Sequence, residues 1–391
     1  MKLFLIKLGK AWSVIRRDGL LRGSSRVLSA FGLLFRKVEP GDVLFVSNGV
    51  GDSARYRTSH VAEELSFHGF KASVALQDNP FLLSYAKQFS VFVFHRVLFT
   101  EKVGRFVAEL KRLNKTIIFE TDDLVYDPAF LVHMDYYQKM NAFEKKLYEK
   151  GLGGEILSDP AVQVCTTTTE FLAEKLREKQ KKVFIVSNKL SRQDVSWAET
   201  ALTHMKEHSS DTVRVSYLSG TPSHNKDFAT ITKALSVLLT RYPQMRLVLA
   251  GPLDTESSLN QFESQIERVP FVQRKDYFQI VASMDINVAP LEIGNPFCES
   301  KSELKFFESG IVGVPTVASA TKTFSQAISD GKDGFVAGFT EEWIEKIETL
   351  IVDADRRKQM GENARKTALE KYTTENGVSE EYYEYLRSKI Q

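Results

Sequence analysis

Cysteine and net charge are both scarce in this sequence, and their scarcity excludes several classes of protein. Only Cys165 and Cys298 occur in 391 residues, which is too few and too widely spaced for a disulfide scaffold or a CxxC-type zinc site. Sparse cysteine also fits a reducing compartment. With 52 basic and 50 acidic residues the formal charge is +2, far from the strong basicity of a duplex-binding protein.

Long apolar runs are absent as well. The longest, such as Ser90–Phe94 and Thr116–Phe119, have the length of a strand, so the sequence predicts no bilayer-spanning helix. It is nevertheless 43% hydrophobic and contains 27 Phe and 13 Tyr, which indicates sizeable cores and excludes a disordered chain. The length predicts about two or three domains.

Residues 1–38 differ from the rest in charge, with nine basic residues and one acid, Asp18. Apolar residues recur there at helical spacing on both sides of a Gly-Ser-Ser break. Lys7 and Lys10 interrupt any apolar core of a signal peptide. The pattern predicts two basic amphipathic helices, lying on an anionic membrane surface or packed on the protein body or a partner subunit. We therefore expect a cytoplasmic protein, peripheral on the inner face of the cell membrane, and no nucleic-acid partner.

Strand-like runs alternate with helix-length segments along the rest of the chain, in two series separated by a polar linker, Ser191–Asp211. The first series is Val43–Ser47, Ala72–Leu76, Val91–Phe94, Thr116–Glu120, Val162–Thr166 and Val183–Ser187. The second is Val213–Leu218, Leu247–Ala250, Phe271–Gln273, Ile286–Ala289, Thr316–Ala318 and Gly334–Ala337. This alternation predicts two α/β halves with mostly parallel sheets, facing each other across a cleft. Ligands of such sheets bind beyond the carboxyl ends of the strands.

A glycine-bearing turn follows the first strand of the second half. It contains Gly220, Thr221 and Lys226 and opens a helix. Backbone N–H groups at such a junction can approach an anion, and Lys226 adds a positive charge. An ordinary strand-to-helix turn with a surface lysine is the alternative.

A second signal lies between Asn295 and Gly310. Ser300 or Ser302 is a credible N-cap, and a helix starting there would carry a face with Lys301, Lys305 and Glu308. Two lysines at a helix start suit a diphosphate, and a carboxylate further along could accept hydrogen bonds from ribose hydroxyls. A solvated, salt-bridged helix is the alternative, although the neighbouring phenylalanines favour burial.

Polar residues also follow strands of the first half. The loop after the first strand contains Gly49 and Gly51 and leads to Arg55 and Arg57. His95 ends another strand and is the most plausible polar group near a reacting centre, although a core or loop histidine is the alternative. The carboxylates of Asp122 and Asp123 could bind a metal, or they could cap a helix and orient Arg55 or Arg57; we favour the second interpretation.

Together these segments resemble the family 4 glycosyltransferases of the GT-B fold. The segment Lys305–Ser319 is similar to their donor-site signature, in which a glutamate, seven residues and a second glutamate precede a Gly-x-Pro-Val-Val strand. The Gly220-to-Lys226 turn, Leu249-Ala250-Gly251-Pro252 and the strand from Asp285 to Pro290 follow in the family's order. Asn188 resembles the family's interdomain asparagine.

The resemblance implies an architecture. It consists of a Rossmann-like acceptor-binding domain at 39–195, a Rossmann-like nucleotide-sugar-binding domain at 196–372, and a C-terminal helix at 373–391 that packs back on the first domain. Residues 1–38 precede these domains as a basic amphipathic segment.

The resemblance also implies roles for individual residues. Glu308 matches the glutamate that holds the donor ribose, and Lys226 matches the lysine that binds the donor diphosphate. Two positions depart from the pattern: the usual arginine after the glycine of the first turn is Thr221, and the position eight before Glu308 is Ser300. Lys301 or Lys305 would then supply the missing cation, and Glu299 the missing acid. The expected catalytic residues are Lys226, Glu308 and His95. The remaining expected donor-site residues are Gly220, Thr221, Gly251, Glu299, Ser300, Lys301, Ser302 and Lys305. The expected acceptor-side residues are Gly49, Gly51, Arg55, Arg57, Asp122 and Asp123.

By this resemblance the protein is expected to transfer a sugar, with retention, from a nucleoside-diphosphate sugar to a glycan or lipid-linked glycan. The setting would be bacterial-type surface polysaccharide synthesis. No metal or other cofactor is expected. Two alternatives remain at this point: a catalytically degenerate GT-B subunit that acts as a scaffold, and a nucleotide-sugar epimerase of the same architecture.

Overall fold

The computed structural model describes residues 32–134, 137, 140–204, 212–219, 225–251, 253, 255–270 and 272–390. The two amphipathic helices predicted for the N-terminal segment lie almost entirely outside the described residues. In the described part of the chain, no helix is long and apolar enough to cross a membrane.

Two six-stranded parallel sheets organise these residues. The first, in the order β2-β1-β3-β4-β5-β6, contains β1 Val43–Ser47, β2 Ala72–Leu76, β3 Val91–His95, β4 Thr116–Thr121, β5 Val164–Thr167 and β6 Lys182–Ile185. The second, in the order β12-β11-β10-β7-β8-β9, contains β7 Val213–Leu218, β8 Met245–Ala250, β9 Ile266–Val269, β10 Ile286–Ala289, β11 Thr316–Ser319 and β12 Phe335–Ala337. The central strands are apolar on both faces because helices cover both sides. The predicted α/β class with two parallel sheets is confirmed.

Helices connect the strands. Those of the first half are α1 Asp52–Ala54, a π-helix Arg55–His60, α2 Val61–Phe67, α3 Glu101–Arg112, α4 Ala142–Tyr148, α5 Gly154–Leu157, α6 Glu170–Arg177 and α7 Arg192–Thr203. Those that follow are α8 Asn225–Ala229, α9 Thr232–Arg241, α10 Arg274–Ala282, α11 Pro296–Glu299, α12 Leu304–Gly310, α13 Lys322–Ala327, α14 Thr340–Val352, α15 Ala354–Lys371 and α16 Glu380–Ile390. Short 3₁₀ segments cover Leu82–Lys87, Leu124–Tyr126, Pro128–His133 and Ser257–Gln265.

The last helix, α16, packs on the first sheet. Its Tyr382, Tyr383 and Leu386 share a buried apolar cluster with Val43 and Val93 of β1 and β3. The hydroxyl of Tyr383 also donates to the buried carboxylate of Glu64. The end of the chain therefore crosses from the second sheet to the first.

The predicted linker, Ser191–Asp211, lies between the strands of the two sheets, but it contains a helix, α7, because Ser191 and Asp194 form a reciprocal capping box at its start. One predicted strand is wrong. The strand expected at Phe271–Gln273 is instead β9, Ile266–Val269. Pro270 follows β9 and has no N–H to donate to a sheet, and Gln273 already precedes α10.

A buried ion pair fixes the first helical segment to the first sheet. Arg57 is fully buried, and its guanidinium donates to Glu120 Oε1 at 2.7 Å and Oε2 at 3.1 Å. The same group donates to Val186 O at 2.6 Å and Asn188 Oδ1 at 3.0 Å. The guanidinium thus donates four hydrogen bonds, and removing it would leave the buried Glu120 carboxylate without its cationic partner.

Arg57→Met should therefore lower the free energy of unfolding by about 3–5 kcal/mol, since breaking one side of a buried pair leaves its partner charged and desolvated. The control is Arg55→Ala, which removes the exposed pair with Asp52 and should cost less than about 1 kcal/mol. Urea unfolding of both variants measures the difference. Equal losses would contradict the role assigned to Arg57.

Candidate active site

A buried cation lies at the carboxyl edge of the second sheet. Lys305, in the first turn of α12, donates from Nζ to Leu218 O, the last carbonyl of β7. The ammonium also lies 4.7 Å from the centre of the Tyr217 ring. Burial lowers the pKa of Lys305 to about 8, and the nearby Glu308 and Asp227 carboxylates offset only part of that effect. The helix thus places a buried lysine ammonium at the edge of the sheet where ligands of parallel sheets bind.

The ends of β7 and β8 come unusually close beside this lysine. Gly251 has a φ of +88°, and a Cβ there would lie 1.9 Å from Ser219 O. The neighbouring backbone therefore leaves no room for any side chain at this position, and only glycine fits. Gly251 is one of the expected donor-site residues. Gly220 and Thr221 lie outside the described residues. Lys226 is exposed in α8, the helix that follows β7.

The predicted start of the Lys301–Glu308 helix is wrong. The segment forms two helices: Asn295 caps α11, and α12 begins after Glu303, which makes no side-chain capping bond. Ser300 Oγ donates to Phe297 O at 2.8 Å, and Ser302 Oγ accepts from Asn188 Nδ2 at 2.8 Å. Ser300 therefore bonds back onto α11, and Ser302 ties the connection between the two helices to the first half of the chain.

Lys301 and Glu299 consequently do not lie on α12. Lys301 lies between α11 and α12, with its ammonium 5.7 Å from the Phe297 ring. Glu299 Oε1 accepts from Gly294 N at 3.0 Å and its Oε2 from Lys322 N at 3.4 Å. Of the three residues predicted to share one helix face, only Lys305 and Glu308 lie on α12.

Glu308 is the centre of a polar cluster contributed by both halves of the chain. Its Oε1 accepts from the Tyr56 hydroxyl at 2.5 Å and from the Arg274 guanidinium, and its Oε2 accepts from the Tyr277 hydroxyl at 3.0 Å. Tyr56 belongs to the π-helix of the first half, whereas Arg274 and Tyr277 belong to α10 of the second.

The cluster keeps the carboxylate charged. Burial alone would raise the pKa of Glu308, but the Arg274 charge and the hydrogen bonds from Tyr56, Arg274 and Tyr277 outweigh it and hold the pKa below its usual value. Burial also raises the pKa of Tyr56 and Tyr277, so both phenols remain hydrogen-bond donors.

Arg274 extends the cluster to the helix that joins the two halves. Its Nε donates to Asp194 Oδ1 at 2.9 Å, and its guanidinium lies 4.7 Å from the Phe278 ring centre. Asp194 Oδ2 is 3.5 Å from His60 Nε2, and His60 Nδ1 bonds to Lys189 O at 2.7 Å. Burial lowers the pKa of His60, which keeps this ring neutral at physiological pH.

His95 lies at the end of β3 and bonds through Nε2 to Ser53 Oγ at 3.0 Å. Its Nδ1 is buried and has no hydrogen-bond partner among the described residues. Burial lowers the pKa of His95 to about 3, and the Arg96 and Arg57 charges add to this effect while Asp122 opposes it. At neutral pH the imidazole is uncharged and a weak base, although it can still form a hydrogen bond through Nδ1.

Asp122 and Asp123 hold an arginine that the sequence analysis did not select. Arg96 donates from Nε to Asp122 Oδ1 at 2.6 Å and from Nη2 to Asp123 Oδ2 at 2.5 Å. The predicted capping is confirmed, since Asp123 Oδ1 accepts from Val125 N at 2.9 Å at the start of a 3₁₀ turn. The expectation that the pair orients Arg55 or Arg57 is wrong because Asp52 and Glu120 bind those side chains instead.

Close packing does not require glycine at either glycine position of the first loop. A Cβ on Gly49 or Gly51 would have no heavy atom within 4 Å, and Gly51 stands at the start of α1. The loop therefore leads into the helical segment that carries Ser53 and Tyr56, which contact His95 and Glu308 respectively.

One group of three potential metal ligands occurs among the described residues, formed by Asp227, Glu292 and Cys298. Hydrogen bonds account for it: the Cys298 thiol donates to Asp227 Oδ1 at 3.1 Å, and Glu292 N donates to the same oxygen at 3.2 Å. Burial raises the pKa of Cys298, so the thiol is a hydrogen-bond donor to Asp227 in this structure.

Sequence reasoning did not select Arg274, Tyr277 or Asp194 as site residues. They occur in amphipathic or polar stretches without a motif, and only the packing of α7 and α10 brings them to Glu308. Tyr56 stands between Arg55 and Arg57, which the sequence analysis did name, but no local pattern indicated that its hydroxyl reaches the other half.

Comparisons with known proteins agree with this fold. Residues 231–380 match the family model described as glycosyl transferase-like. HepE from Anabaena, solved in complex with UDP and glucose, is 13% identical and superposes with a TM-score of 0.56 over 89% of this chain and 100% of HepE.

Two further solved structures are similar. Sucrose-phosphate synthase from Thermosynechococcus elongatus is 13% identical, with a TM-score of 0.57 over 89% of this chain and 98% of the synthase. A glycosyltransferase from Rickettsia africae is 14% identical, with a TM-score of 0.58 over 90% of this chain and 100% of that protein. No curated protein matches the sequence significantly. The chain has the GT-B fold, and the predicted resemblance to GT-B glycosyltransferases is confirmed.

The lowered pKa of Lys305 predicts a specific dependence of stability on pH. The unfolded chain keeps this proton up to the ordinary lysine pKa of 10.5, whereas the folded protein loses it near pH 8. The free energy of unfolding of the wild type, relative to Lys305→Met, should therefore rise by about 1 kcal/mol or more between pH 8 and 10.

Urea unfolding at several pH values measures that difference. Lys305→Arg is the matched control, because a guanidinium stays charged throughout this range and should not show the rise. A constant difference between wild type and Lys305→Met from pH 7 to 10 would contradict the lowered pKa.

Proposed function

We propose that this protein is a glycosyltransferase that moves a sugar from a nucleoside-diphosphate sugar to a glycan or lipid-linked glycan, with retention of the anomeric configuration. The observation that carries the proposal is the pairing of a buried cation, Lys305, with a buried carboxylate, Glu308, one turn apart on α12 at the carboxyl edge of the second sheet. A diphosphate matches the first group and a ribose diol the second. The UDP and UDP-glucose complexes of HepE support this assignment.

The chemistry requires stabilisation of the charge that develops on the leaving diphosphate. Fixed cations in a site from which water is excluded supply it without reorganisation. We assign this role to Lys305, held by the end of β7, and to Lys226 on the helix that follows the same strand. We assign no part of this stabilisation to a helix start at Ser300–Ser302, because α12 begins after Glu303.

His95 is assigned to the acceptor side. A pKa of about 3 makes it a poor general base at neutral pH, so we do not assign it proton abstraction from the acceptor. Its unpartnered Nδ1 can instead hydrogen-bond a hydroxyl of the reacting sugar or acceptor. Ser53 fixes the ring through Nε2, which sets the direction of that bond.

Glu308→Gln and Lys226→Ala should each lower transfer about 10²- to 10³-fold, because each removes a charged contact to the donor. Lys226→Ala should leave the melting temperature within a few degrees, whereas Glu308→Gln also removes the buried partner of Arg274 and should lower it. Lys233→Ala, which removes an exposed lysine of the neighbouring helix α9, is the control for Lys226→Ala. Transfer or hydrolysis is measured with a panel of UDP-, GDP- and dTDP-sugars. Near-wild-type turnover in both variants would overturn the donor-site assignment.

The same assay tests two further points. We propose that no metal is needed, because lysines can supply the cationic charge, so activity should survive EDTA. A strict requirement for Mg²⁺ or Mn²⁺ would make Asp227 and Glu292 the candidate metal ligands.

A catalytically inactive scaffold is the second candidate function, favoured because Arg274 and Tyr56 already bind Glu308. Such a subunit would turn over no donor in the panel.

The N-terminal segment supports a membrane-borne acceptor. Residues 32–38, its described end, run along the first half: Asn79 Nδ2 donates to Arg36 O at 2.8 Å, and Val38 N donates to the Tyr85 hydroxyl at 3.3 Å. Asn79 follows the carboxyl end of β2, so Arg36 lies on the side of the sheet where ligands bind. We propose that residues 1–31 hold the protein peripherally on anionic lipid, on the cytoplasmic face of the cell membrane, with the acceptor side toward the surface.

Deletion of residues 1–31 should release the protein from anionic liposomes and leave nucleotide binding unchanged. The deleted segment has seven basic residues against one acid, and each contributes about 1 kcal/mol near such a surface. Liposome flotation at low and high salt measures the effect, and salt should weaken binding only in part because Trp12 and other apolar residues are not screened. If the full-length protein ignores anionic liposomes at low salt, a partner subunit replaces the membrane in this proposal.

A further inference from the structure

The two oxygens of Glu308 are not equally available to a ligand. A carboxylate has about four acceptor positions, two on each oxygen. On Oε1 both are taken, one by the Tyr56 hydroxyl at 2.5 Å and one by the Arg274 guanidinium. On Oε2 the Tyr277 hydroxyl takes one position at 3.0 Å, and no other donor in the described part of the chain takes the second.

A vicinal diol that binds a carboxylate in a bidentate manner donates one hydroxyl to each oxygen. Ribose bound to Glu308 in this way would find its position on Oε2 but none on Oε1. Either Tyr56 or Arg274 must therefore leave Oε1 when the diol binds.

Arg274 is the better anchored of the two. Its Nε donates to Asp194 at 2.9 Å, and its guanidinium lies 4.7 Å from the Phe278 ring and 5.1 Å from the Tyr277 ring. Displacing it would break an ion pair with Asp194 as well as the pair with Glu308, both in a buried setting.

Tyr56 is held less firmly at its hydroxyl. That group donates to Glu308 and accepts from Arg274 at 2.6 Å, and both partners belong to the other half of the chain. Its backbone lies in the π-helix Arg55–His60, a form found mostly as short irregular segments and frequently at functional sites.

We propose that the Tyr56 hydroxyl is displaced from Glu308 by the ribose of the donor, which makes Tyr56 the residue that couples occupation of the donor site to the position of the first domain. This inference rests on the proposed function. Ser53 lies three residues before Tyr56 on the same helical segment and bonds to His95. A movement of Tyr56 is therefore transmitted within one helical turn to His95, which we assign to the acceptor side.

The test is a cycle of two variants and two ligands. Binding of UDP and of 2′,3′-dideoxy-UDP, which lacks both ribose hydroxyls, is measured by calorimetry for wild type and Tyr56→Phe. Phenylalanine keeps the ring contacts with His60 and Phe307, whose centres lie 4.8 Å and 6.4 Å away, and removes only the competing hydroxyl. Tyr382→Phe is the matched control, since it removes another buried tyrosine hydroxyl, one without a hydrogen-bond partner among the described residues, in α16.

Tyr56→Phe should bind UDP about 3- to 10-fold more tightly than wild type, because the ribose no longer has to break a hydrogen bond to a charged acceptor. Affinity for the dideoxy nucleotide should not change, and Tyr382→Phe should behave as wild type with both ligands. Equal or weaker UDP binding by Tyr56→Phe, or an equal gain for both nucleotides, would overturn the inference and leave the proposed function standing. If wild type binds none of UDP, GDP, dTDP, ADP and CDP, the proposed function itself fails.

Discussion

Glu308 carries a buried negative charge, and the donors that balance it come from both domains at once. Arg274 and Tyr277 approach from α10, while Tyr56 reaches across from the first domain. Arg274 in turn binds Asp194 of the joining helix α7. Because an unpaired buried carboxylate would be costly, the two sheets, the joining helix and α12 are constrained to a mutual arrangement in which this cluster is complete.

The proposed chemistry follows from the same arrangement. The buried amine of Lys305 lies one turn from Glu308 and is held by the last carbonyl of β7, so a cation and a carboxylate face the same edge of the second sheet. Arg57, bound to Glu120 and Asn188, holds the helical segment of the first domain, and Asn188 also bonds to Ser302 beside α12. The two halves of the chain are thereby linked through a few polar side chains.

Much of the fold could be predicted from the sequence, because parallel strands buried on both faces are continuous apolar runs at regular separation. The exceptions are local. Pro270 ends β9 earlier than the apolar pattern suggested, and a capping box at Ser191 forms a helix in a stretch that is polar enough to resemble a linker.

The candidate site could be predicted only in part. Lys305 and Glu308 stand out because their spacing on one helix is a local property that the sequence displays. Arg274, Asp194 and Tyr56 come from three separate elements, and nothing local marks a side chain whose partner lies more than 200 residues away, as the Tyr56 hydroxyl's does. The N-cap assignment at Ser300 or Ser302 failed because both hydroxyls are used by other partners, Phe297 O and Asn188.

The most direct measurement is a crystal structure of the protein with a bound nucleoside diphosphate. This account predicts the ribose hydroxyls within hydrogen-bond distance of Glu308, and the diphosphate beside Lys305 at the end of β7. A nucleotide bound to the first sheet, or one whose ribose lies away from Glu308 while Tyr56 and Arg274 keep both positions on Oε1, would contradict it.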